Sequence, residues 1–147
     1  MFKKYPSLEN HYRQKFIDRI RLNENYNSNQ PWVVLEKIHG ANFQFWTDGK
    51  ELKVGSRNQF VDGGFYNSQK VIDKYKDSVL ESFNFMSEFA KRFSNDELKS
   101  VTFFGELFGG NFFGESVKDV KNIQRGVNYN KDIDFMLFDV RLDFADN

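Results

Sequence analysis

Between Lys70 and Phe93 the apolar residues fall at Ile72, Tyr75, Val79, Phe83, Met86, Ala90 and Phe93. Steps of three and four keep one face of a helix apolar, so the spacing predicts the longest helix of the chain here, with Ser68 as its candidate cap. A shorter helix is expected from Ser7 as N-cap through Leu22, with Tyr12, Phe16, Ile17 and Ile20 on one face. Asn23 to Gln30 is almost wholly polar and reads as a loop closed by Pro31. Strand patterns follow. Trp32 to Ile38 predicts a first strand, and Asn42 to Thr47 a second, with Phe43, Phe45 and Thr47 alternating against Asn42, Gln44 and Trp46. Asp48-Gly49 is a hairpin turn signal leading to a third strand through Leu52 and Val54. Asp62-Gly63-Gly64 reads as a loop. Val101 to Leu107 predicts a strand ending at Gly109 and Gly110, and Asp134 to Leu142 another. Strands and helices do not alternate regularly, which points to an α+β fold with mainly antiparallel sheet.

The 147 residues suit one domain, and 39% hydrophobic with 29% charged residues places the chain among ordered soluble proteins. No apolar run approaches the roughly 20 residues that span a bilayer, and residues 1–6 lack the apolar core of a secretory signal. The absence of cysteine excludes a disulfide scaffold and a thiolate metal site. These features together predict a cytoplasmic protein with no membrane partner. Net charge is zero but uneven: residues 1–22 hold six basic and two acidic side chains, residues 95–147 six basic and ten acidic. The balance by itself gives no support for a nucleic-acid partner. Most of the 18 phenylalanines are expected in the core.

The candidate chemistry centres on Glu36-Lys37-Ile38-His39-Gly40-Ala41-Asn42-Phe43. A lysine amine is protonated at neutral pH and becomes a nucleophile only when desolvation or a neighbouring cation favours its neutral form. The preceding Trp32-Val33-Val34-Leu35 is the expected desolvating strand, and Gly40 lets backbone approach a ligand. Lys-x-x-Gly alone is a weak signal. Three further clusters follow it: Ser56-Arg57, Phe104-Gly105-Glu106 and Phe138-Asp139. Taken singly, Arg57 reads as a surface cation, Glu106 as a solvated strand-end carboxylate, Phe138 as core and His39 as a loop residue satisfied by backbone.

Taken in order, these clusters closely resemble the nick-sealing RNA ligase 2 group of the T-even phages, to which trypanosome RNA-editing ligases are related. The resemblance starts at Met1-Phe2-Lys3-Lys4-Tyr5 and Ser7-Leu8-Glu9-Asn10-His11-Tyr12 and runs through the lysine motif, Ser56-Arg57 and Phe104-Gly105-Glu106. It ends with Ile123-Gln124 through Phe138-Asp139, so it covers essentially the whole chain. It implies a nucleotidyltransferase domain of the ligase and capping-enzyme type, unrelated to ATP-grasp, and an ATP-dependent RNA ligase. Lys37 would take AMP from ATP as a lysyl-AMP, pass it to an RNA 5′-phosphate, and allow a 3′-hydroxyl to displace it, with Mg2+ or Mn2+ assisting. By the same resemblance Arg57 and Glu106 would contact the AMP ribose and phosphate, Glu106 being also a candidate metal-side carboxylate. Phe138 would stack on adenine, His39 and Asn42 would orient phosphates and hydrated metal, and Glu36 would sit by the adenine, with Ile38 counted among the same nucleotide-binding residues.

The partner implied is RNA with 3′-hydroxyl and 5′-phosphate ends, at nicks in duplexes, met by a monomeric full-length ligase in a phage-infected or bacterial-type cytoplasm. Two later family motifs, a metal-handling glutamate and a lysine pair on the α-phosphate, do not appear before Asn147. The expectation is therefore the N-terminal portion of an adenylyltransferase domain, truncated at its C-terminus, that folds but seals no RNA unaided. Gly109 to Val117 is expected to be a loop packed by its own aromatics, longer than in the phage enzyme. Rival readings are a DNA ligase, a GTP-using capping enzyme, and a non-catalytic or split nucleotide- or RNA-binding fragment.

Overall fold

The computed structural model describes residues 1–7, 12–23, 31 and 34–145. It divides into two compact units, Tyr5–Lys37 on one side and Met1–Lys4 with Ile38–Asn147 on the other. The expected residues Trp32 and Val33, Leu8 to His11 and most of the Asn23–Gln30 loop lie outside the described residues.

The smaller unit holds helix α1, Gln14–Arg21, with Arg13 at its N-cap position. The helix is shorter than expected. Ser7 stands outside it, Tyr12 precedes it and is 73% exposed, and only Phe16, Ile17 and Ile20 are half-buried. The described part of the first expected strand, residues 34–38, is not a strand either. Residues 34–39 are irregular, and Val34 and Leu35 are 90% and 83% exposed. A strand needs a hydrogen-bonding neighbour, and these residues pair with no strand of the sheet.

The larger unit is a five-stranded sheet in the order β3-β2-β1-β4-β5. The strands are β1 Ala41–Thr47, β2 Leu52–Ser56, β3 Phe60–Val61, β4 Leu98–Asn111 and β5 Asn130–Phe144, and each neighbouring pair is antiparallel. The central strand β1 is buried from Phe43 to Thr47. Phe43 and Phe45 meet Phe135 edge-on, with ring centroids 6.1 and 5.0 Å away, and Phe45 also meets Tyr75 of the long helix. Gln44 and Trp46 alternate with them yet are also buried, and Trp46 packs edge-on against Phe60. Alternation alone therefore marks two covered faces here rather than one. The turn at Asp48 forms as expected, its carboxylate accepting the N–H groups of Lys50 and Glu51.

Helix α2 runs Gln69–Ala90 and covers the sheet with Val71, Ile72, Val79 and Ala90. It stops before Phe93, which is 74% exposed. Ser68 occupies the cap position but its side chain makes no cap bond; its carbonyl instead accepts the N–H groups of Val71 and Ile72. Both later strands are longer than their apolar runs. Gly109 and Gly110 lie within β4, at a register shift, rather than ending it. Among the described residues no helix is long and apolar enough to cross a membrane.

Candidate nucleotide site

The end of the lysine motif is stitched into the sheet. Gly40 donates its N–H to Glu106 Oε1 at 3.1 Å, and its carbonyl accepts Gln124 Nε2 at 2.8 Å. A Cβ on Gly40 would stand 2.1 Å from the Leu107 carbonyl oxygen, so only glycine brings this backbone so close to β4. One residue earlier, the His39 N–H donates to the Tyr129 hydroxyl at 3.2 Å. His39 itself is exposed. Asn42 then enters β1 directly opposite Glu106, and Glu106 stands opposite Met136 of β5.

Glu106 is thus not a solvated strand-end carboxylate. It lies inside β4, half-buried, and fixes the motif's glycine. Gly105 before it makes room for Phe135, whose ring would lie 2.3 Å from an added Cβ. The Phe-Gly-Glu cluster therefore has a packing role. Gln124 and Tyr129 belong to the same arrangement, and no spacing signal could have found them. Their partners are backbone groups 84 and 90 residues away.

Phe138 is not core. It is 48% exposed and sits at an irregularity of β5: Phe104 pairs with Asp139 and Gly105 with Leu137, leaving Phe138 as the extra residue of a bulge. Bulges re-aim a side chain and favour the neighbourhood of functional sites. Two residues along the same strand, Met136 faces Glu106 across the ladder. Arg57 is exposed in the turn after β2, which is closed by the Ser56 N–H and hydroxyl on the Gln59 carbonyl. Phe43 pairs with Ser56, so Arg57 follows directly on the residue beside β1. Ile38 is half-buried, while Glu36 and Lys37 are exposed in the irregular segment of the smaller unit. Of the desolvating strand expected from the sequence, Val34 and Leu35 are exposed, and Trp32 and Val33 lie outside the described residues.

Among the described residues no three His, Asp or Glu side chains converge into a metal-binding group.

The model of the RNA ligase family matches residues 30–147. The chain belongs to the RNA ligase family. Among solved structures, a Naegleria gruberi RNA ligase K170A mutant with ATP and Mn is similar at 19% identity and a TM-score of 0.39. The match covers 69% of this family member and 23% of the Naegleria chain, so the family member spans about a quarter of that chain's length.

Proposed function

We propose that this RNA ligase family chain carries the adenylate-forming part of an ATP-dependent RNA ligase of the nick-sealing type. The observation that carries the reading is the clamp on Gly40. The glycine of Lys37-Ile38-His39-Gly40 is held by the glutamate of Phe104-Gly105-Glu106, so two motifs far apart in sequence act on one backbone segment. Lys37 Nζ, once neutral, attacks the α-phosphorus of ATP. An N–P bond forms, the bond to the bridging oxygen breaks, pyrophosphate leaves and the amine gives up its proton. The AMP then passes to an RNA 5′-phosphate, and a 3′-hydroxyl oxygen attacks that activated phosphate as AMP departs.

The other residues serve positioning. Arg57 offers a planar fork to phosphate oxygens. Phe138 offers its exposed ring to the adenine, a stacking worth about 1–3 kcal/mol. Glu106 offers its carboxylate to a ribose hydroxyl or a metal's water. Asn42, opposite it, and His39 face the phosphates, with Glu36 and Ile38 beside the base.

The test is intact-protein mass after incubation with ATP and Mn2+ or Mg2+. An acid-labile AMP adduct is expected on the full-length ligase and not on its Lys37→Ala variant, which should still join pre-adenylylated RNA. An adduct that persists in Lys37→Ala would remove the lysine from its role. ATP binding without any adduct would favour the non-catalytic nucleotide-binding reading.

A further inference from the structure

We propose that the hairpin tip at Phe113 is a docking point for an unpaired RNA base; this rests on the reading of the chain as part of an RNA ligase. The Phe112 N–H donates to the Glu115 carbonyl at 2.8 Å and the Glu115 N–H to the Phe112 carbonyl at 3.0 Å. Only Phe113 and Gly114 lie between, with φ of 50° and 88°. A two-residue turn with both central residues at positive φ favours Asn-Gly, Asp-Gly or Gly-Gly. Phenylalanine is a poor choice there on conformational grounds, because its Cβ crowds the backbone at positive φ. It is a poor choice on hydrophobic grounds too, since Phe113 is 77% exposed. Beyond an edge-on contact with Phe112, itself exposed, no packing among the described residues accounts for an aromatic at this position. A residue that breaks a local rule without structural gain points to function.

The tip is also held in place. Asn128 Oδ1 accepts Asn111 Nδ2 at 2.7 Å and the Phe113 N–H at 2.9 Å, while Asn111 Oδ1 accepts the Gly114 N–H at 3.1 Å. Glu115 pairs with Lys131, and the Val117 N–H donates to the Lys131 carbonyl at 3.0 Å. A ring on such a base is preorganised, and ordering it on binding loses little entropy.

Phe112, edge-on to Phe113 at 5.0 Å, lines a cavity of about 300 Å³ with Val117, Tyr129, Asn130, Lys131 and Asp132. That lies at the lower end of the range for ligand sites, about 300–1,000 Å³. It suits a single base rather than a whole nucleoside triphosphate. The wall residue Tyr129 is the one whose hydroxyl accepts the His39 N–H, so the cavity adjoins the lysine motif's end. Lys118, Lys121 and Arg125 are exposed on the chain between the tip and Tyr129 and suit a phosphate backbone, against which the exposed acids are Asp119 and Glu115, the latter paired with Lys131. Stacking on an aromatic face is the sequence-tolerant way to hold an unpaired base.

The experiment compares the unaltered protein, Phe113→Gly and Phe113→Tyr by thermal melting and by anisotropy of a fluorescein-labelled single-stranded RNA. Phe113→Gly relieves the backbone and should melt at the same or a higher temperature, yet bind the RNA about 5–150-fold more weakly. Phe113→Tyr should bind like the unaltered protein. Equal RNA affinity in Phe113→Gly, or no RNA binding by the unaltered protein, would overturn the proposal. So would a loss of self-association in Phe113→Gly with RNA affinity unchanged, which would make the tip a protein contact. AMP adduct formation by the unaltered protein is scored separately, so failure of the ligase reading is distinguishable from failure of the tip as a base-binding point.

Discussion

Gly40 carries two bonds that no other residue could carry in its place. Its N–H reaches Glu106, its carbonyl receives Gln124, and its α-carbon stands where a methyl group would enter the Leu107 carbonyl. Relief would require β4 and the motif to part, which disrupts both bonds. Gly40→Ala is expected to destabilise the protein by about 1–3 kcal/mol, the usual range for forcing an extra carbon into a packed site. At roughly 2–4 °C per kcal/mol in a domain near this size, the melting temperature should fall by several degrees. AMP transfer should fall with it, because the backbone following Lys37 loses its anchor. An unchanged urea midpoint in Gly40→Ala would show that the segment relaxes freely and that the clamp is incidental.

At the scale of elements, α2 is tied to β5 through Asp134. Its carboxylate accepts Lys74 Nζ at 2.7 Å and the Tyr75 hydroxyl at 2.7 Å, and it also receives the Phe135 N–H. Burial works against the charged carboxylate, but these donors outweigh it and hold Asp134 below the usual carboxylate range. A lowered native pKa gives stability that is present above the ordinary carboxylate pKa and is lost as pH falls through the native one. Asp134→Asn should therefore be less stable than the unaltered protein at neutral pH, and the gap should narrow from about pH 5 downward. Urea unfolding at neutral pH and at about pH 3 measures it, and a gap of equal size at both would disconnect Asp134 from acid stability. Helix α2 was legible because its periodicity is a local property: Ile72, Tyr75 and Val79 fall on the face that packs. Its link to β5 was not, since Asp134 finds Lys74 and Tyr75 from 60 and 59 residues away. The end of the apolar run, Val34 and Leu35, misled for the complementary reason. Its composition suits a strand, but strand formation depends on a neighbour, and β1 is already flanked by β2 and β4. Glu106 and Phe138 were singled out by a motif order that resembles a family, not by their own patterning. The half-exposed bulge at Phe138 could not be distinguished from core in a continuous apolar run.

The molecule as a whole presents one long sheet margin. In the strand order, β1 is central while β5, fifteen residues long, has a neighbour on one side only among the described residues. Along it Met136, Leu137 and Phe138 are 47%, 48% and 48% exposed. The same stretch stands opposite Glu106 and holds the bulge at Phe138 that is proposed for the adenine, so the proposed nucleotide surface lies on this margin. A long strand with unpaired backbone groups and exposed apolar side chains is a template for pairing, which natural edges resist with charge or a bulge. Here the bulge at Phe138 interrupts the margin, but Met136 and Leu137 beside it carry no charge. Residues 1–147 are therefore expected to self-associate at high micromolar concentration, and Leu137→Lys to return them toward monomer. Sedimentation velocity over a concentration series reads this directly. ATP should compete with association, because a base stacked on Phe138 occupies part of the same margin. A chain that stays monomeric throughout, or association that Leu137→Lys leaves untouched, would show that the bulge alone protects the edge.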